Sequence, residues 1–119
     1  MIPAIFDQWS QSSKKVLYIY NLQSSQFDYL SPAIEFIWEV NRENILQDPE
    51  QLLARVDEDD REAVVLRFEK ACQGSACEIE FCLKFPDKRF KQVKADAQPL
   101  VDESGALTYL MGQDRKSVV

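Results

Sequence analysis

The sequence predicts an α+β fold: a five-stranded antiparallel sheet with helices packed on one face and an amphipathic helix flanking it at the N-terminus. Three observations carry this. Strand-like and helix-like segments are segregated, in the order helix, two strands, several helices, three strands. In EIEFCLKF, Ile79, Phe81, Leu83 and Phe85 alternate with Glu78, Glu80, Cys82 and Lys84, the period of a half-buried strand. Turn residues (PDKR, DESG) fall between the last three strand segments, as hairpins require.

Each element follows in order. In IPAIFDQW, Ile2, Ile5, Phe6 and Trp9 lie at i, i+3, i+4 and i+7, one face of a short helix. Such a helix is marginal alone and must lie on an apolar surface, either as a lid on its own domain or as a dimer contact. VLYIYN at 16–21 is β-branched and aromatic and reads as a strand. It pairs through LQSSQ with a second strand at 27–31. Pro32 opens a helix with Ser31 as its expected N-cap, carrying Ile34, Ile37 and Trp38 on one side. Asp48 and Pro49 begin another, with Leu52, Leu53 and Val56. The acids Asp57 to Asp60 suit the first turn of a longer helix, whose buried stripe is Val64, Val65, Phe68, Ala71 and Cys72 and whose end is Gly74. The strand at 78–85 is followed by FKQVKADAQPL and ALTYLMGQ. No internal repeat or low-complexity segment interrupts them.

Composition excludes several function classes. Twenty acids against fourteen bases give a net charge of −6, opposite to what a nucleic-acid surface requires, so no nucleic-acid partner is expected. With no histidine, Ser-His-Asp or Cys-His catalysis, His-ligated haem or zinc, and a phosphoacceptor histidine are all excluded from this chain. Cys72, Cys77 and Cys82 form no CxxC pair and read as reduced thiols. No apolar run approaches the roughly 20 residues of a membrane span, and no Arg-rich or apolar leader opens the sequence; a cytoplasmic protein without a membrane partner is expected.

SPAIEFIWEVNRENILQDPEQLLARVDEDDREAV resembles the front half of a PAS domain of the kind found in bacterial sensor histidine kinases. EIEFCLKFPDKRFKQVKADAQPLVDESGALTYLMG is similar to the family's last three strands. The resemblance spans residues 16–116, leaving 1–15 as the flanking helix and 117–119 as a tail. Ser31, Pro32, Asp60 and Arg61 match the family pattern. Glu39 and Lys88 stand where it has glycine, Asp57 and Glu58 where it has His-Pro, and Gln92 where tryptophan is common. Lys116, Ser117 and Val118 replace the closing Asp-Ile-Thr.

The resemblance implies a sensor or docking module of a two-component system or related regulator rather than an enzyme. A small ligand would lie between the inner sheet face and the helices. That face would carry Tyr18, Tyr20, Phe27, Tyr29, Phe81, Leu83, Val93, Ala95, Ala97 and Leu110, with Ile79 and Thr108. Phe68 and Cys72 would border it from the long helix. Two readings are open: a cavity whose inward tyrosine hydroxyls meet a ligand, or a solid core with the hydroxyls reaching the surface. The cofactor is unknown. Cysteinyl-flavin photochemistry is excluded because 45–56 contains no cysteine, and haem because there is no histidine. Cys72 reads as a small buried residue rather than a soft-metal contact. Asp57–Asp60 reads as a helix cap rather than a cation site. Asp114 is expected at the end of the last strand, paired in solvent with Arg115 or Lys116. The outer face, with Leu17, Ile19, Tyr109 and Met111, calls for cover by the N-terminal helix within a monomer or across a homodimer. Glu39 is expected to let the helix of Trp38 run on, because it cannot freely take φ > 0.

Overall fold

A computed structural model describes residues 15–117. The expected helix over residues 2–9 lies outside the described residues. Five strands, β1 (Val16–Asn21), β2 (Gln26–Leu30), β3 (Cys77–Lys84), β4 (Phe90–Val101) and β5 (Leu107–Lys116), form one antiparallel sheet in the order β2-β1-β5-β4-β3. Four helices sit between β2 and β3: α1 (Ile34–Ile37), α2 (Arg42–Gln47), α3 (Gln51–Arg55) and α4 (Glu58–Cys72). No helix among the described residues is long and apolar enough to cross a membrane.

The sheet order follows from the connections. Turns join β1 to β2, β3 to β4 and β4 to β5, while the helical segment carries the chain from the β2 edge to the β3 edge. That leaves β5 to close the centre between β1 and β4. The core lies between the inner face and α1–α3, built on Val16, Leu30, Ile34, Ile45, Val56, Phe81, Leu83 and Val93, all nearly or fully buried. A second, smaller cluster of Ala71, Ala97 and Leu110 lies toward the end of α4, with Tyr20, Leu22, Cys72 and Cys77 packed against it.

Several local expectations are corrected. Helix α1 ends at Ile37 with Trp38 as its C-cap, and Glu39 takes φ +54°, so the helix breaks there in spite of the missing glycine. Lys88, the second residue standing where the family has glycine, likewise takes φ +70°. The left-handed conformation at Glu39 is offset from two sides. The Arg55 Nη2 donates to the Glu39 carbonyl at 3.0 Å, and Arg89 grips the Glu39 carboxylate through both terminal nitrogens at 2.6 and 3.1 Å. Because a side chain normally opposes this conformation and an exposed ion pair returns little, Glu39→Gly should raise the thermal midpoint. A lowered midpoint would show that the Arg89 pair outweighs the backbone strain.

Ser31 is not a helix cap. Its Oγ accepts from the Leu17 N–H at 2.8 Å while its own N–H donates to the Leu17 carbonyl at 2.9 Å, so it extends the β1–β2 ladder. Helix α2 was not anticipated. Asn41 is its N-cap and accepts from the Asn44 N–H at 3.0 Å, a signal present in the sequence. Asp57 occupies the N-cap position of α4 without a side-chain bond, and Asp60 instead accepts from the Cys82 N–H at 2.8 Å, tying α4 to β3. The stripe of α4 is thinner than its periodicity implies. Only Ala71 is fully buried, and Phe68 is 38% exposed. Gly74, at φ +109°, stands just past the helix end, where a left-handed residue terminates it.

Candidate functional site: the inner face of the sheet

Register decides which side chains meet. Residues directly opposite in a ladder share a face, so Tyr18, Leu30 and Gly112 project inward together, as do Tyr20, Phe27 and Leu110. Across β3 and β4 the inward pairs are Cys77 with Ala97, Ile79 with Ala95 and Phe81 with Val93. A bulge between Ile19 and Tyr20 breaks the alternation on β2. Tyr29 is thereby set opposite Ile19, which pairs on its other side with Met111. It belongs to the outer face, not to the inner one where simple period-2 counting put it.

The remaining anticipated lining residues divide between two groups. Phe81, Leu83 and Val93 are buried in the main core, where Tyr18, Phe27 and Ala95 pack against them. Ala97 and Leu110 belong to the smaller cluster, flanked by Tyr20 and Cys72. Phe68 is the outermost and touches the site edge-on through Tyr20, with ring centroids 5.3 Å apart. Tyr20 is in turn edge-on to Phe27 at 5.2 Å, and Tyr18 to Phe27 at 5.6 Å, so aromatic edges run from β2 across β1 to α4.

Two residues beyond the anticipated set shape this face. Gly112 lies opposite both Tyr18 and Ala97. A Cβ there would come within 2.1 Å of Tyr18 Cζ, so the tyrosine ring occupies the space that a side chain on β5 would need. The second is Asp114, 7% exposed and opposite Val16 and Ala95. It is not a surface partner of Arg115 or Lys116. Strand β5 runs on to Lys116, and its parity points Leu110, Gly112 and Asp114 inward together. The Trp38 indole Nε1 donates to Asp114 Oδ2 at 3.2 Å, and the indole also packs on Phe81 with centroids 5.7 Å apart.

Electrostatics follow burial. Desolvation pushes the Asp114 carboxyl up to about 7; the Trp38 bond works against this and nearby Asp96 works with it. The Tyr18 phenol is raised well above its ordinary value, first by burial and then by Asp114, so it stays neutral at physiological pH. Burial also raises the thiols of Cys72, Cys77 and Cys82, which disfavours the reactive thiolate. No group of three metal-ligating side chains occurs among the described residues.

Two open depressions lie at the surface, and neither is lined by Tyr18, Trp38, Gly112 or Asp114. One, of about 390 Å³, is lined by Glu39, Asn41, Asn44, Gln51 and Arg55 beside the α1–α2 turn. The other, of about 430 Å³, includes Cys77 and Ala97 with Glu78, Asp96 and Gln113. The site's chemistry is that of a packed apolar face holding the Asp114 carboxyl, the Tyr18 and Tyr20 phenols and the Trp38 indole N–H. It can bind, exclude water and hold a proton.

No protein-family model matches the sequence, and no curated protein does. Solved structures do match. A domain of a histidine kinase from Haloarcula marismortui, described as light and redox sensing, superposes with a TM-score of 0.79 at 16% identity, covering 98% of this chain and 100% of that one. The N-terminal domain of a diguanylate cyclase with a PAS/PAC sensor from Marinobacter aquaeolei gives 0.71 at 19% identity over 86% of this chain and 94% of that one. The PAS domain of a protein from Colwellia psychrerythraea gives 0.69 at 15% identity over 95% and 97%. Strand order, the helical crossover and these superpositions agree: the chain has the PAS fold.

Proposed function

We propose that this chain is a non-catalytic sensory and signal-transduction module of a sensor kinase or related regulator. It takes up a small ligand or a partner's side chain at the inner sheet face and relays the state through dimer contacts. The observation that supports this most is the polar set of Asp114, Trp38 Nε1 and Tyr18 on the inner sheet face, where Asp114 is the one buried charged residue among the described residues. A core selected for stability alone gains nothing from a buried carboxyl, whose desolvation is costly. A ligand would enter by displacing the Tyr18 ring from Gly112. Native mass spectrometry of the protein, and of a Tyr18→Ala variant that vacates this space, tests the reading. A small molecule retained by the wild-type protein, or taken up by the variant from a metabolite extract, supports it. Bare protein in both cases would refute ligand uptake.

A specific observation favours a second reading. The Tyr18 ring already fills the space over Gly112, as in a ligand-free dimerisation or docking module. In either reading the outer face is where copies would meet, through Ile19, Tyr109 and the 45%-exposed Met111. Deleting residues 1–12, with Ile5, Phe6 and Trp9, should cause aggregation or change the oligomer in sedimentation. An unchanged, fully stable monomer would remove the N-terminal segment from this role.

A further inference from the structure

Asp114 is placed where a proton should have consequences for the helical layer. It lies on the inner face of the central strand β5, 7% exposed, and its indole donor Trp38 is the C-cap of α1. The next residue, Glu39, is in the left-handed conformation at φ +54°, where the chain turns from α1 toward α2. The side chain of Glu39 is held from outside by Arg89 at 2.6 Å and Lys91 at 3.5 Å. The Lys91 Nζ also donates to the carbonyls of Phe36 and Ile37, at 3.1 and 2.8 Å. The cover over Asp114 is thus a short helix end with a strained residue behind it, fastened by surface contacts.

We propose that Asp114 and Trp38 form a proton-dependent latch: with Asp114 neutral the indole stays docked on the sheet, and with Asp114 ionised the α1 end loosens to let water reach the carboxylate.

The neighbours support this direction. From β1 the titratable group is the Tyr18 phenol, from β3 the Cys77 thiol and from β4 the Asp96 carboxylate. The Cys72 thiol of α4 acts on Tyr18 rather than on Asp114. From α1, Glu35 accepts from the Arg42 N–H at the surface. Among the described residues no cation acts on Asp114, so the indole bond alone offsets its charge when the proton leaves. One indole bond strengthens on ionisation, but desolvation is the larger effect on this carboxyl. The sign follows. The folded state holds a proton, up to about pH 7, that the unfolded chain releases near its ordinary value of 3.8. Asp114's contribution to stability is therefore complete below the unfolded value. It declines as pH rises between the two values and is level above the folded one. The inference is independent of whether a ligand binds.

Trp38 reports the latch directly in a Trp9→Phe background, because these are the two tryptophans of the chain. Between pH 5 and 9 the emission should shift to the red, and acrylamide quenching should rise at least twofold, with a midpoint near 7. In Asp114→Asn, which keeps the shape without the charge, both should be flat. A flat wild-type profile, or the same titration in Asp114→Asn, would overturn the latch. Should the variant not fold, carbon-13 NMR of the Asp114 carboxyl in the wild-type protein decides. A titration near 7 with coincident shifts in the Trp38 indole N–H upholds it, and a titration near 4 overturns it.

Discussion

Truncating Trp38 to alanine is expected to cost about 3–5 kcal/mol, the range for deleting a packed tryptophan. The indole is 5% exposed, packs on Phe81 and joins the cluster of Val16, Leu30, Ile34 and Leu83. Its removal leaves a cavity and also takes the indole donor from a buried carboxyl. Trp38→Phe separates the two effects. It retains most of the packing, and losing the donor should cost about 1–3 kcal/mol. Since a domain of this size is stable by roughly 5–15 kcal/mol, Trp38→Ala should shift a urea midpoint conspicuously, whereas Trp38→Phe should leave a clear native baseline. A loss below about 1 kcal/mol for the alanine variant would mean that Trp38 swings freely as a gate and is not held in the core.

The element order was readable because it rests on local period and turn chemistry. Ile79, Phe81 and Leu83 alternate visibly, and DESG cannot continue a strand. The sequence also carried the signal for Asp114. Extending the inward parity of Leu110 by two and by four residues reaches Gly112 and then Asp114. Ending the strand at Gln113, where a run of polar residues resembles a loop, hides it. Tyr29 went to the wrong face for a different reason. A bulge beside Ile19 inverts the parity of everything beyond it, and no residue on β1 or β2 announces it. Glu39 shows tertiary structure overriding a local preference. Glycine is favoured at φ > 0, yet the cations Arg55 and Arg89 hold a glutamate there from the end of α3 and from the β3–β4 turn, both distant in sequence. The α4 stripe failed because apolar period alone does not say how much sheet lies beneath. Phe68 remains 38% exposed, and Val64, Val65 and Cys72 are only half-buried.

Gly112→Ala is expected to destabilise the domain by about 1–3 kcal/mol, as overpacking does, and the loss should depend on Tyr18. Gly112 does not owe its identity to a left-handed backbone; what matters is space. The added methyl would lie 2.1 Å from Tyr18 Cζ, 2.2 Å from Oη and 2.5 Å from Cε2, all far inside van der Waals contact. The ring must therefore move. Its neighbours restrict where it can go: Phe27 meets it edge-on at 5.6 Å, and both rings pack against the main core. Tyr18→Phe removes only the hydroxyl and leaves Cζ in collision, so it should rescue little. Tyr18→Leu ends short of that atom, and Gly112→Ala in its background should cost much less than in the wild type. The coupling energy of the Tyr18→Leu and Gly112→Ala pair should be about 0.5–3 kcal/mol, as for residues in contact. Strict additivity would mean that the ring rotates off the sheet at little cost. A freely rotating ring could not serve as the plug whose displacement opens the inner face, so additivity would remove the proposed route of ligand entry along with the packing argument.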